Sequence, residues 1–142
     1  MNRDNQSSKG VPPLKNTLSS SYLVYENAGI TSVVIHYEGY SIPAAHPYHT
    51  VFTANYNTKT QSMVELSSLF RSDVAFLRVL SQSSREKLLA QPLSNKAMML
   101  KGTSPVAKNF QYWALAQDGL TVFFSEAQVA PYSDGQISVT IP

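Results

Sequence analysis

The sequence predicts an α+β fold, in which an antiparallel β-sheet built from hairpins carries one main α-helix packed on one face. Apolar and polar residues alternate before residue 57 and again after residue 109, and this period of two is typical of strands. Between these regions, apolar residues recur at the three- and four-residue spacing of a helix. Strands, then one helix, then further strands indicate the α+β class.

The first strands are predicted around a tight turn. Residues 22–25 and 30–40 are rich in β-branched and aromatic residues, and Asn27-Ala28-Gly29 between them supplies turn residues. A loop with two prolines follows, and the alternation then resumes over residues 48–57. These segments predict consecutive antiparallel strands.

Ser72-Asp73 is predicted to cap a main helix that runs to about Gln91, and Pro92 ends it. Its predicted buried residues share one helical face: Val74, Leu77, Leu80, Leu88 and Leu89. A short helical segment is expected before it, where Leu66 and Leu69 are three residues apart. Residues 93–108 read as an irregular crossover.

The last part of the chain predicts a second set of strands. Asp118-Gly119 is a hairpin signal between strands at 110–116 and 120–124. Both strands carry apolar residues on each face, which predicts a central position in the sheet. The alternation of residues 137–141 predicts a final strand that pairs with this sheet and closes the fold.

Composition limits the classes of function. A chain of 142 residues is enough for one domain, predicted at 22–142, after a flexible arm or linker at 1–21. The net charge is +2 with no run of three basic residues, so nucleic acid is not an expected partner. No stretch approaches the roughly 18 apolar residues of a membrane span.

No set of residues with the spacing of an active site or a cofactor site is visible. The absence of cysteine excludes disulfides and thiolate chemistry. His46 and His49 are three residues apart in a loop that enters a strand, a spacing that does not aim two imidazoles at one metal ion. Glu126 and Asp134 flank the closing loop, but Asp134 has a simpler role in the turn before Gly135. We therefore predict no enzyme activity, no metal and no cofactor.

Aromatic residues at loop positions indicate a binding surface instead. Tyrosine rings give a large contact area at a small cost in rotamer freedom, and several tyrosines fall in loops or at strand ends. The candidate partner-binding residues come from two loops: His46, Pro47, Tyr48, Ala130, Pro131 and Tyr132. For each single tyrosine, packing over the sheet edge is the competing interpretation.

The closing stretch also carries a resemblance. Gln128-Val129-Ala130-Pro131-Tyr132, followed by Gly135 and by Val139-Thr140-Ile141-Pro142, resembles the end of the C-terminal extracytoplasmic domain of RsiV-type, lysozyme-sensing anti-sigma factors. Ala45-His46-Pro47 is similar to a loop earlier in that domain, and Asp118-Gly119-Leu120 to its strand connection. The resemblance extends over about residues 22–142.

This resemblance implies a periplasmic or cell-surface module without catalytic residues of its own. Its expected partner is a protein, such as a lysozyme-like muramidase, or a peptidoglycan fragment. Two alternatives remain: an accessory domain of a peptidoglycan deacetylase or hydrolase, and a structural or oligomerisation domain with an exposed sheet edge. The sequence leaves the ligand and the oligomeric state open.

Overall fold

A computed structural model describes residues 15–71 and 73–142, and it contains two antiparallel sheets. The N-terminal sheet has the strand order β1-β2-β3-β4, with β1 at Thr17–Asn27, β2 at Ile30–Tyr40, β3 at Tyr48–Asn57 and β4 at Ser62–Met63. The C-terminal sheet has the order β5-β6-β7, with β5 at Tyr112–Ala116, β6 at Gly119–Phe123 and β7 at Ser138–Ile141. The helices are α1 at Phe76–Leu89 and α2 at Lys96–Gly102. The predicted α+β class is confirmed.

Short 3₁₀ segments connect these elements at Leu66–Leu69, Ala107–Phe110 and Tyr132–Asp134. The first of them confirms the helical segment predicted before the main helix. Within residues 15–71 and 73–142, no helix is both long and apolar enough to cross a membrane.

The N-terminal sheet begins with a regular hairpin. Ala28 and Gly29 form a two-residue turn with positive φ angles of 52° and 80°, as a type I′ turn requires. This turn sets an unbroken register from Asn27 opposite Ile30 to Thr17 opposite Tyr40. The hairpin confirms the prediction, but β1 begins inside the segment predicted as a flexible arm. Residues 1–14 of that segment lie outside the described residues.

Helix α1 packs on one face of the C-terminal sheet, as predicted. The buried residues between them form the main core: Leu80, Leu88, Met99, Phe110, Trp113, Leu120, Val122, Phe124, Val129 and Val139. The helix begins later than predicted, after Ala75, which has no side-chain cap. Of the two predicted cap residues, Ser72 lies outside the described residues, and Asp73 forms an ion pair with Arg71. Val74 and Leu89 are 37% and 60% exposed, so their prediction as buried residues was wrong.

The predicted irregular crossover contains helix α2. Asn95 caps this helix, and its side-chain oxygen accepts a hydrogen bond from the backbone N–H of Met98. Met99 and Gly102 are buried against the rest of the fold. A seven-residue helix gives too short a periodic pattern to be recognised beside Gly102 and Pro105.

Strand β5 is an edge strand, so its predicted central position was wrong. Its outward backbone groups are bonded by side chains from the N-terminal sheet. Trp113 N–H donates to Thr53 Oγ1 at 3.1 Å, and Asn55 Nδ2 donates to the Trp113 carbonyl at 3.0 Å. Leu115 N–H donates to Ser32 Oγ at 3.0 Å. The β5 edge of the C-terminal sheet thus packs on the inner face of the N-terminal sheet, which is the face that carries Ser32, Thr53 and Asn55. This packing explains why β5 is apolar on both faces.

Candidate functional site

Two loops that are distant in sequence meet at one end of the molecule. Tyr132, in the closing loop, donates a hydrogen bond from Oη to the carbonyl oxygen of Pro47 at 2.6 Å, across 85 positions of sequence. The ring of Tyr132 also lies against the ring of His46, with centroids 4.0 Å apart and planes inclined by 31°. We call the surface formed by His46, Pro47, Pro131 and Tyr132 the loop surface.

The loop surface has an exposed part and an anchored part. His46 is exposed, and its Nδ1 lies 2.9 Å from the carbonyl oxygen of Pro47. Pro47, Pro131 and Tyr132 are half-buried. The Tyr132 hydroxyl and the His46 ring therefore both contact Pro47. The imidazole is exposed to solvent, and its position is fixed by Pro47 and by the Tyr132 ring.

The other two predicted contact residues are placed differently. Ala130 is buried, with 2% of its surface exposed, so its methyl group packs inside the fold. Tyr48 is 44% exposed, but alternation along β3 puts it on the opposite face of the sheet from His49, with its ring over Gly39. The structure brings together His46, Pro47 and Tyr132 and does not join Tyr48 to them.

A histidine with two carboxylates lies beside the loop surface. His49 Nδ1 is 2.8 Å from Glu126 Oε1, and the backbone N–H of His49 donates to Glu126 Oε2 at 3.3 Å. His49 Nε2 is 4.0 Å from Glu38 Oε1. Glu126 therefore binds both the ring and the backbone of His49 and fastens the closing loop to β3.

The carboxylates beside His49 also affect the pKa of Tyr132. Burial first, and then the negative charges of Glu126 and Glu38, raise the pKa of Tyr132 above its usual value. The phenol therefore stays neutral through the physiological range and remains a hydrogen-bond donor to Pro47. The Tyr132 ring lies 6.1 Å from the ring of His49, so the loop surface and the carboxylate pair are contiguous.

The histidine and acidic side chains around the loop surface are engaged with neighbouring groups. Among the described residues, no group of three or more histidine, aspartate or glutamate side chains is disposed to hold a metal ion. His49 is held by Glu126, and its other ring nitrogen faces Glu38. Asp134 does not face Glu126, because it accepts hydrogen bonds from the backbone N–H and the hydroxyl of Ser94 at 3.1 and 2.8 Å.

Gln128 in the closing stretch has a structural role. Its Oε1 accepts from the backbone N–H of Ser125 at 2.9 Å. Its Nε2 donates to the carbonyl oxygens of Gly102 and Asn109 at 2.8 and 3.0 Å. One side chain thus ties the closing loop to the end of α2 and to the segment before β5.

Sequence reasoning found His46 and Tyr132 separately but missed the pairing of His49 with Glu126. These two residues are 77 positions apart, and neither lies in a motif that requires the other. A histidine at the start of a strand gives no local signal of the carboxylate that will face it.

Comparison with known proteins identifies relatives of this chain and its family. The chain is 26% identical over 129 residues to the peptidoglycan-N-acetylmuramic acid deacetylase PdaC of Bacillus subtilis strain 168, a match that covers 89% of this chain and 28% of PdaC. The chain therefore spans little more than a quarter of that relative's length.

Two crystal structures have the same fold. A DUF3298 family protein from Pseudomonas aeruginosa PAO1 superposes with a TM-score of 0.60 at 16% identity, covering 88% of this chain and 57% of that protein. A member of the same family from Bacteroides fragilis NCTC 9343 superposes with a TM-score of 0.63 at 19% identity, covering 89% of this chain and 50% of that protein. The model of that family, described as a protein of unknown function, matches residues 67–142. This chain therefore belongs to the DUF3298 family.

Proposed function

We propose that this chain is a non-catalytic binding or sensing domain of a bacterial exported protein, as its resemblance to RsiV-type anti-sigma factors implies. Its ligand is a cell-wall glycan or a protein that acts on the cell wall, such as lysozyme. The observation that carries the proposal is the union of two distant loops through Tyr132 and Pro47. That union presents the exposed ring of His46 beside a half-buried tyrosine.

The geometry suits recognition of a sugar or a protein surface. Flat rings stack on the apolar faces of sugars and are common at the centre of protein interfaces. The backbone anchor at Pro47 and the carboxylate anchor of His49 limit the motion of both loops before a ligand arrives. Such pre-organisation lowers the entropy lost on binding.

The likeness to PdaC supports the cell-wall side of the proposal. That relative is named as a deacetylase of a peptidoglycan sugar, and peptidoglycan lies outside the cytoplasmic membrane. A domain shared with such an enzyme has its natural place in the periplasm or at the cell surface. The match also favours a second candidate, an accessory domain that holds a deacetylase or hydrolase near its substrate, because it covers only 28% of PdaC.

A binding experiment tests the proposal. Purified muropeptides, intact peptidoglycan and lysozyme are each titrated into the protein and into His46→Ala, which removes the exposed ring and leaves the Tyr132 hydrogen bond to Pro47 in place. We expect one of these ligands to bind and the variant to bind it at least about tenfold more weakly, a change of about 1.4 kcal/mol. Tyr56→Ala, which removes an exposed ring on the N-terminal sheet, is the matched control and should bind normally.

Two results would contradict the proposal: no binding to any of the three ligands, or equal binding by His46→Ala and the wild-type protein. Release of acetate or of reducing ends from peptidoglycan, lost in Glu126→Gln, would show that the domain is an enzyme instead. Binding with no turnover and with the expected loss in His46→Ala would support a recognition domain.

A further inference from the structure

The outer edge of β1 is long and regular. β1 comes first in the N-terminal sheet, and it pairs with β2 along its whole length from Thr17 to Asn27. No strand in the described part of the chain pairs with its other side. The type I′ turn makes Asn27 and Ile30 a hydrogen-bonded pair, so the odd-numbered residues of β1 bond to β2. The even-numbered residues direct their N–H and C=O groups outward.

This edge lacks the features that usually protect one. Natural proteins block edge strands with proline, lysine or a bulge. The segment Thr17–Asn27 contains neither proline nor lysine, its register runs without a bulge, and its single charged residue is Glu26. On the outer face of the sheet, the side chains of Leu18, Tyr22 and Val24 are 67%, 72% and 50% exposed. Such an edge is competent to pair with another strand.

We propose that β1 pairs antiparallel with β1 of a second copy of this chain, about a two-fold axis at Ser21. A two-fold axis perpendicular to the sheet keeps the outer faces of both copies on the same side. With the axis at Ser21, each Leu18 lies opposite Val24 of the other copy, and each Ser20 lies opposite Tyr22. The two N-terminal sheets then form one continuous sheet.

Self-complementarity favours a second copy over an unrelated peptide. Centring the pair on Tyr22 would oppose Leu18 to the charged Glu26, and centring it on Ser20 would oppose Val24 to Asn16. Of these three axis positions, Ser21 is the one that leaves neither Leu18 nor Val24 opposite a charged or amide side chain.

Cysteine cross-linking tests the position of the axis, since the natural sequence contains no cysteine. Ser21 would form a non-hydrogen-bonded pair with itself, and the Cα atoms of such a pair are about 4.5 Å apart, within the range of a disulfide. We expect Ser21→Cys to form a covalent dimer on mild oxidation. Ser62→Cys, also exposed but on β4, is the control and should stay monomeric. Equal cross-linking of both variants, or of neither, would overturn the proposal.

Sedimentation equilibrium tests the pairing without oxidation. The wild-type protein should dimerise reversibly, and Val24→Lys should weaken the dimer at least about tenfold because it places a charge opposite Leu18. Tyr56→Lys adds the same charge to the same outer face on β3, which is away from the β1 edge, and should leave the dimer intact. A wild-type monomer at all concentrations, or equal weakening by both substitutions, would rule out pairing through this edge.

Discussion

The two sheets of this molecule differ in what covers their faces. The C-terminal sheet is covered on one face by α1 and by the main apolar core, and on the other face Ala114 and Phe123 pack against Val34 and Val51. Among the described residues, the N-terminal sheet is covered on its inner face, and its outer face is open. On its outer face Tyr22 is 72% exposed and Phe52 is 47% exposed.

The contacts between the sheets differ from those within the core. Ser32 and Asn55 are 0% and 4% exposed, yet both are polar, and they bond to the backbone of β5. Hydrogen bonds of this kind fix direction and register, whereas apolar burial supplies most of the free energy of folding. The helices and the C-terminal sheet therefore provide most of the stability. The N-terminal sheet provides a positioned surface, and no other strand of the described residues pairs with the outer edge of β1. The family match at residues 67–142 covers the stabilising part.

The largest expected effect comes from truncating the core of the C-terminal sheet. Phe124 is fully buried and packs edge-on against Phe110 with ring centroids 6.5 Å apart. We expect Phe124→Ala to lower the free energy of unfolding by about 3–5 kcal/mol through lost burial and a cavity. Phe52→Ala, on the partly exposed outer face, removes only its edge-on contacts with Tyr37 and Tyr112 and should cost about 1–2 kcal/mol. Urea denaturation measures both, and equal losses would contradict the difference between the sheets.

Two glycines test the same difference between the sheets. A methyl group at Gly102 would lie against the backbone carbonyl of Gln128, which cannot move without shifting the closing loop. At Gly39 it would meet only the ring of Tyr48, a partly exposed side chain that can rotate away. We expect Gly102→Ala to cost about 1–3 kcal/mol and Gly39→Ala less than about 1 kcal/mol. Thermal unfolding of both variants measures this, and a smaller cost at Gly102 would contradict it.

Asn55 tests the polar contact between the sheets. Asn55→Ala leaves the Trp113 carbonyl without its side-chain donor, but it also removes a buried Oδ1 atom that has no partner. These effects oppose each other, so we expect a cost of about 1 kcal/mol. Thr50→Ala, on the opposite face of β3, is the control and should change stability by less than about 0.5 kcal/mol. A loss near that of Phe124→Ala would show that this contact is as important as the core.

Much of the fold could be predicted because local patterns determine it. Strands β2 and β3 alternate because one face of their sheet is covered and the other open, and α1 has helical spacing because one side of it is buried. The position of β5 could not be predicted from the same signal. Its burial on both faces comes from seating an edge on another sheet, and the sequence pattern is that of a central strand.

The site shows the same limit. His46 and Tyr132 could be selected from the sequence, since each is an aromatic residue in a loop with proline. Their contact depends on folding across 85 positions, and the pairing of His49 with Glu126 depends on folding across 77. Neither distance is encoded in any local spacing.

The smallest expected effect concerns the charge that ties the closing loop to the segment before α2. The backbone N–H and hydroxyl of Ser94 both donate to Asp134, and they hold the pKa of that carboxyl below its usual value. The ionised form is thus favoured in the folded state. Its stabilising contribution is present above the unfolded pKa of about 3.9 and is lost as the pH falls through the lower folded value.

Asp134→Asn keeps an oxygen acceptor for Ser94 but removes the charge, so it isolates this effect. We expect the variant to be slightly less stable than the wild-type protein at neutral pH and equally stable in acid, where the aspartate is protonated. Denaturant titrations at both pH values measure the difference, and Asp118→Asn, at the exposed turn between β5 and β6, is the control. A difference that persists unchanged in acid would mean that Asp134 acts through its shape, and the closing loop would then be held by Gln128 and Glu126 without help from this charge.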